Sequence, residues 1–279
     1  MSSTVTISAQ DINKLRQATG AGMMDCRKAL TETNGDFEAA IDWLRKQGQK
    51  VAAKRSDREA KEGVVIAQTT ADNTSGIVVC VSCETDFVSK NADFVAFVQT
   101  IADAAISSGV STVDDLNAVE VNGKTVADLV NDKLTSIGEK IGVTKFERVN
   151  APYVASYIHG SNRIGVLVGL NKAAAEAGKD VAMQIAALNP VAVDADSVSA
   201  EVVAREKAII MDVMKEDPKM AGKPEEMLSK IAEGKLGAFF KEQTLVAQAF
   251  VKDAGISVGD YLKQAGDVKV TEFKRVAIG

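Results

Sequence analysis

Two seven-residue strings constrain this chain more than any other feature. V143-T-K-F-E-R-V149 and V270-T-E-F-K-R-V276 differ at two positions only. Such a pair marks an internal repeat, which sets the plan of the whole fold. The residues leading to each string follow one order. E62-G-V-V-I-A-Q-T69, a turn at D72-N-T-S-G76 and I77-V-V-C-V-S-C83 read as a β-hairpin. A helix over roughly 91–106 follows, then the first string. In the second half, Y153-V-A-S-Y-I-H159 turns at G160-S-N162 and returns as R163-I-G-V-L-V-G-L170. A helix at K179-D-V-A-M-Q-I-A-A-L188 precedes the second string. Each half is therefore hairpin, helix, closing strand. The expected class is α+β, with related subdomains at 62–150 and 151–279.

The second half is longer, and its surplus is helical. S199-A-E-V-V-A-R-E-K-A-I-I-M-D-V-M-K215 places Val202, Ile209 and Val213 near heptad spacing. A turn containing Pro218, Gly222 and Pro224 leads into E225-E-M-L-S-K-I-A-E233. Pro224 suits a first-turn position, and the acids after it suit a helix N-terminus. The expectation is an antiparallel helical hairpin over about 197–241, inserted in the second half. It either packs on its own lobe or projects as an arm for a partner.

Ahead of the repeat, residues 5–48 read as a small helical unit. Ile12 and Leu15 share one face of S8–A18, and T19-G-A-G22 breaks that helix. M23-M-D-C-R-K-A-L30 restarts it, and N34-G-D36 breaks it again. Asp36 is a natural N-cap for a third helix, where Phe37, Ala40, Ile41 and Leu44 recur at helical spacing. The expected division is a helical domain at 1–50, then a linker at 51–61. The stretch R45–K61 holds seven Lys or Arg and two acids, and reads as a solvated charge run.

The chemistry-bearing residues are few. His159 is the one histidine, and no G-x-S-x-G elbow accompanies it. It reads as a strand-end or interface residue. Cys80 and Cys83 spell C-x-x-C, yet on a strand an offset of three points them to opposite faces. G123-K-T125 resembles the end of a phosphate-binding loop, but Ala118 stands where its first glycine belongs. G20-A-G22 is half a dinucleotide fingerprint and follows a helix instead of a strand. Three cysteines, an odd number, argue against a disulfide framework and for a reducing, cytoplasmic setting. M1-S-S-T-V-T-I-S-A-Q10 lacks the pattern of a secretory signal, and no apolar run approaches the roughly 18 residues of a membrane span. A net charge of −5 weighs against nucleic acid as the main partner. No reaction site assembles, so the expected function is binding another protein, with no cofactor.

One junction stands out. C83-E-T-D-F-V-S-K90 lies where a strand ends and a helix begins, with Asp86 beside Phe87. By position, Phe87 is either a hydrophobic staple on the following helix or an outward probe. Asp86 is either a loop or capping acid or part of that probe. Met23 and Met24 are core by default, although adjacent helical positions lie about 100° apart and leave room for one outside.

At T19-G-A-G-M-M-D-C-R-K-A-L30 and C83-E-T-D-F-V-S-K90 the chain strongly resembles the bacterial elongation factor Ts family. N34-G-D-F-E-A-A-I41, S156-Y-I-H-G160 with R163-I-G-V-L-V168, and S199-A-E-V-V203 extend the resemblance over essentially the whole chain. The resemblance implies a ubiquitin-associated-like N-terminal domain, two related core subdomains and a coiled-coil hairpin. It also implies a guanine-nucleotide exchange factor for elongation factor Tu, without covalent chemistry, acting on that partner's magnesium and GDP. Asp86 and Phe87, within Thr85–Val88, match the pair that intrudes beside the partner's magnesium and phosphate. Arg16, Met23 and Met24 match contacts to its nucleotide-binding domain, and His159 matches a core interface position. Phe250 and Val251, in A247-Q-A-F-V251, match a segment meeting another partner domain. A plain adaptor and an RNA-binding protein using the basic linker are the alternatives, and self-association is compatible with all three.

Overall fold

The computed structural model describes residues 6–55, 57–217, 220 and 223–279, with backbone alone at Gln49 and at 51–54. Residues 1–5 of the start, Ser56 of the expected linker, and Pro218 and Gly222 of the expected hairpin turn lie outside the described residues.

The chain opens with three helices: α1 (Ala9–Thr19), α2 (Met23–Glu32) and α3 (Phe37–Lys54). Local chemistry sets their ends. Ser8 Oγ accepts the N–H of Asp11 at 3.1 Å, and the Asp11 carboxylate accepts the N–H of Ser8 at 3.2 Å, a reciprocal cap. Gly20 ends α1 in the left-handed region, with φ 71°. Asp36 Oδ1 accepts the N–H of Ala39 at 2.9 Å and starts α3 as expected. Leu15, Cys26, Leu30, Ala40 and Leu44 form the bundle's core, with Ile12, Phe37 and Ile41 packed around it. α3 runs through Lys54, into the stretch expected to be a linker.

The first half of the repeat contains β1 (Glu62–Thr69), β2 (Ser75–Cys83), α4 (Asp86–Ser89), α5 (Ala92–Ser108), α6 (Val113–Ala118), β3 (Glu120–Val121), β4 (Lys124–Thr125), α7 (Val126–Ile137) and β5 (Gly142–Asn150). The second contains β6 (Tyr153–His159), β7 (Ile164–Leu170), α8 (Ala175–Leu188), α9 (Ala200–Glu216), α10 (Glu225–Gln243), β8 (Ala249–Phe250), β9 (Asp253–Ser257), α11 (Val258–Gln264) and β10 (Val270–Ala277). The protein is thus α+β. Two antiparallel three-stranded sheets have the orders β1-β2-β5 and β6-β7-β10.

The repeat is carried into three dimensions residue by residue. β5 and β10 hold the two strings, and each pairs with the returning strand of its hairpin. Both ladders skip the string's threonine: Thr144 lies between Lys145↔Cys80 and Val143↔Val81, and Thr271 lies between Glu272↔Gly169 and Val270↔Leu170. One extra residue in the same place bends both strands alike. The final valines also correspond, with Val149 opposite Gly76 and Val276 opposite Gly165. Those two glycines let the sheets approach. A Cβ on Gly165 would lie 2.7 Å from both Val65 and Val78, and one on Gly76 would lie 2.8 Å from Val154. The repeat's arginines correspond as well. Arg148 Nε donates to the Val110 carbonyl at 2.7 Å, just past the end of α5, and Arg275 Nη2 donates to Ala186 at 3.3 Å in the last turn of α8. A cation there meets orphan helix-end carbonyls.

The sheets stack face to face through Val65, Val78, Cys80, Val154, Leu167 and Val276. The outer face of the first is covered by α5 to α7, around Val64, Ile66, Phe94, Val98 and Ile101. That of the second is covered by α8 and α11, around Val166, Val168, Val181, Ile185 and Leu262. Burial on both faces explains why β2 and β7 read as unbroken apolar runs. Cys80 faces the second sheet and Cys83 faces the helices, the opposite orientations expected of them.

Several elements depart from expectation. α8 starts at Ala175, earlier than Lys179. α6, the β3–β4 ribbon, α7 and α11 were not among the expected elements. G123-K-T125 sits in that ribbon, where Asn122 (φ 53°) and Gly123 (φ 78°) make a two-residue hairpin turn and not a phosphate loop. α9 and α10 pair through Val203, Ile210, Met214, Leu228 and Leu236, a core without residues from either sheet. The seam lies one residue beyond the expected Val202, Ile209 and Val213. Ile209 and Val213 are 46% and 53% exposed.

Candidate functional site

β2 delivers the chain into α4, a single turn of four residues. So short a helix has little stability of its own, and its surroundings must hold it. Val88 packs inward against the first core, whereas Phe87 points to solvent and is 85% exposed. This rejects the staple reading for Phe87. Asp86 does not cap the backbone either. Its carboxylate binds the Lys90 ammonium at 2.7 Å, and this hydrogen bond and charge hold the carboxyl below its ordinary range. Thr85 holds the N-cap position, yet its hydroxyl donates to Glu139 Oε1 at 2.7 Å instead of accepting from the turn. An open groove of about 370 Å³ lies beside Phe87, lined by Val88, Asn91, Phe94, Lys133 and Ile137.

Two carboxylates brace the approach to this turn. Glu139 Oε2 accepts the N–H groups of Glu84 (3.1 Å) and Thr85 (3.0 Å). Glu84 in turn accepts the N–H of Lys140 (2.6 Å), Arg55 Nη1 (2.8 Å) and Arg58 Nη1 (3.0 Å). The Lys140 N–H draws the Glu84 carboxyl down to about 2; burial opposes this and the two arginines add to it. Below the turn, burial and the nearby Glu139 and Glu62 charges push the Cys83 thiol up to about 12, so it is no nucleophile near neutrality. None of these braces has a local sequence signal. Glu84 and Glu139 lie far apart in the chain, and Arg55 and Arg58 read as solvated charges.

The other expected residues occupy separate surfaces. Arg16, Met23 and Met24 are exposed on the N-terminal bundle, so neither methionine is core. That bundle meets α7 through Arg45–Asp128 at 2.7 Å, while Lys133 and Ile137 of the same helix line the groove beside Phe87. His159 is exposed at the end of β6, its Nδ1 hydrogen-bonded to the Tyr157 hydroxyl at 3.0 Å. Val251 is exposed. Phe250 is not available to a partner as expected. It is 4% exposed and stacks on Tyr261 with centroids 4.2 Å apart, because the alternation along β8 that turns Ala249 outward turns Phe250 inward. No helix among the described residues is long and apolar enough to cross a membrane.

Fold and site define an α+β protein built from two like halves, one of which displays an acid–aromatic turn to solvent. The Elongation factor TS family model matches residues 84–279. Elongation factor Ts of Christiangramia forsetii is 48% identical over 277 residues, covering 98% of this chain and 99% of that one. The protein of the same name from Flavobacterium psychrophilum is 46% identical over 278 residues, and that from Amoebophilus asiaticus 47% over 280, each covering at least 98% of both chains. The chain belongs to the elongation factor Ts family, and its role is that of a translation elongation factor.

Proposed function

We propose that this protein binds elongation factor Tu carrying GDP and accelerates release of the nucleotide by disturbing the partner's magnesium and phosphate site. The observation that carries the reading is Phe87, a large apolar ring held 85% exposed on a braced turn. Its burial in a partner pocket supplies about 1.5–3 kcal/mol. Asp86 brings a carboxylate alongside a site balanced for phosphate and a hard cation. Linkage requires that the protein bind the empty partner more tightly than the nucleotide-bound one, and that nucleotide weaken its binding by the same factor. No bond of the nucleotide needs to be made or broken. Arg16, Met23 and Met24 form a second contact on the N-terminal bundle, and His159 and Val251 supply further ones. The basic stretch lends less to an RNA reading than its composition does. Arg45 pairs with Asp128, Arg55 and Arg58 with Glu84, and Lys61 with Glu59.

Stopped-flow release of a fluorescent GDP from elongation factor Tu tests this. The expected result is release that accelerates with the concentration of this protein until it saturates. An unchanged rate at micromolar protein overturns the reading.

A further inference from the structure

The exchange reading leaves open what holds Phe87 in place, and α4 cannot do so alone. Four residues are far too few for a stable helix, and the N-cap hydroxyl is turned away from the turn. Downstream, Val88 anchors in the first core. Upstream, the fixed points are Glu139 and Glu84. Gly138 (φ 79°) ends α7 and turns the chain so that Glu139 reaches the exit of β2. One Glu139 carboxylate there accepts three donors in succession: the N–H of Glu84, the N–H of Thr85 and the Thr85 hydroxyl. Glu84 answers by accepting the N–H of Lys140. The two segments are thus laced in both directions. Arg55 and Arg58 bring positive charge to the paired acids, and Lys140 Nζ donates back to the Arg58 carbonyl at 2.9 Å.

Resting on the exchange reading, we propose that Glu139 and Glu84 are positioning residues for nucleotide release. They form a reciprocal carboxylate clamp that sets the direction of Asp86 and Phe87 before the partner arrives. Neither touches nucleotide or metal. The clamp removes loop freedom that would otherwise be lost on engaging the partner, so its effect falls on the rate within the complex more than on encounter. Arg55 and Arg58 take part by pairing with Glu84, which ties the link from the N-terminal bundle to the turn.

The test compares wild type, F87A, E139A, E139Q and T85V. Saturated GDP-release rate and half-saturating concentration come from stopped flow, and amide hydrogen exchange at 84–88 is read in the free protein. E139A is expected to speed exchange of the Thr85 N–H at least tenfold. It should lower the saturated release rate about 5- to 20-fold while the half-saturating concentration stays within threefold. E139Q, which keeps an acceptor oxygen, should return to within threefold of wild type. T85V removes one donor of the three and should lose about two- to fivefold, and it carries the test if E139A fails to fold. A wild-type release rate for both E139A and T85V overturns the clamp alone, provided F87A is defective. A loss in E139A confined to half-saturating concentration also overturns it, as does unchanged amide exchange. Wild type without any effect on release overturns the exchange reading, and the clamp's role with it.

Discussion

The exits of β2 and β7 occupy the same place in the repeat and are built for different ends. At β7, Asn171 closes the chain onto the start of β10. Its N–H donates to the Lys269 carbonyl at 3.0 Å, and its Oδ1 accepts the Lys269 N–H at 2.8 Å. Lys172 donates to the Gly266 carbonyl, and the chain passes into α8 without presenting a large apolar side chain. At β2, the corresponding neighbour is the segment after α7, and it braces the exit so that the next turn can stand outward. The same scaffold therefore ends one hairpin in self-satisfaction and the other in display. On the proposed function, activity is a graft on one exit of a repeated frame, not a property of the frame.

Removing the display should have the largest effect. F87A is expected to lower the saturated GDP-release rate about 10- to 150-fold, the equivalent of the ring's 1.5–3 kcal/mol. Its thermal unfolding midpoint should stay at that of wild type, because the ring is exposed. A large drop in midpoint with F87A would move Phe87 from the display to the frame.

The two halves of the frame differ in how firmly each arginine holds its helix end. Among the described residues, Arg148 reaches Val110, Ser75 and Ala105, whereas Arg275 reaches Ala186 alone and leaves its Nε unpartnered. R148M should therefore destabilise by about 2–4 kcal/mol and R275M by about 1–2, read by urea unfolding. Equal losses would mean that the two halves hold their helices alike.

The pH dependence of the braced exit follows from Glu84. Its carboxyl falls from an ordinary 4.5 to about 2 in the folded protein. A depressed folded value contributes stability that is complete above 4.5 and disappears as pH falls through about 2. The stability advantage of wild type over E84Q should thus be constant above pH 5 and shrink between pH 4.5 and 2, as checked by unfolding at stepped pH. An advantage that grows on acidification would contradict the charge state of the brace.

The smallest effect sharpens the comparison most directly. Ala173 is exposed just beyond the exit of β7. A173F should leave the release rate within twofold of wild type, and F87A/A173F should stay at the level of F87A. Rescue by the second aromatic would show that exposure alone suffices, without the clamp.

Much of this was legible in the residues themselves. The cap at Asp36, the two hairpins and the repeat strings all rest on bonds between near neighbours or on strand alternation, which leave their pattern in the chain. The same alternation correctly put Cys80 and Cys83 on opposite faces. The hairpin seam was legible in its spacing and not in its phase, since Val202 and Val203 both fit a heptad until α10 selects one. Phe250 was expected as a contact through the family resemblance, and nothing near it in sequence announces the Tyr261 that buries it.

At the candidate site, local pattern alone puts an acid and an aromatic together at the exit of β2. Strand length, the change of period and the residue types are all local. Packing between distant segments sets Phe87 outward and Val88 inward, and lets Glu84 and Glu139 lace the exit to the end of α7. Such bonds join segments far apart in sequence. Their donors and acceptors are ordinary loop residues until the stacked sheets and α7 bring them within 3 Å of one another.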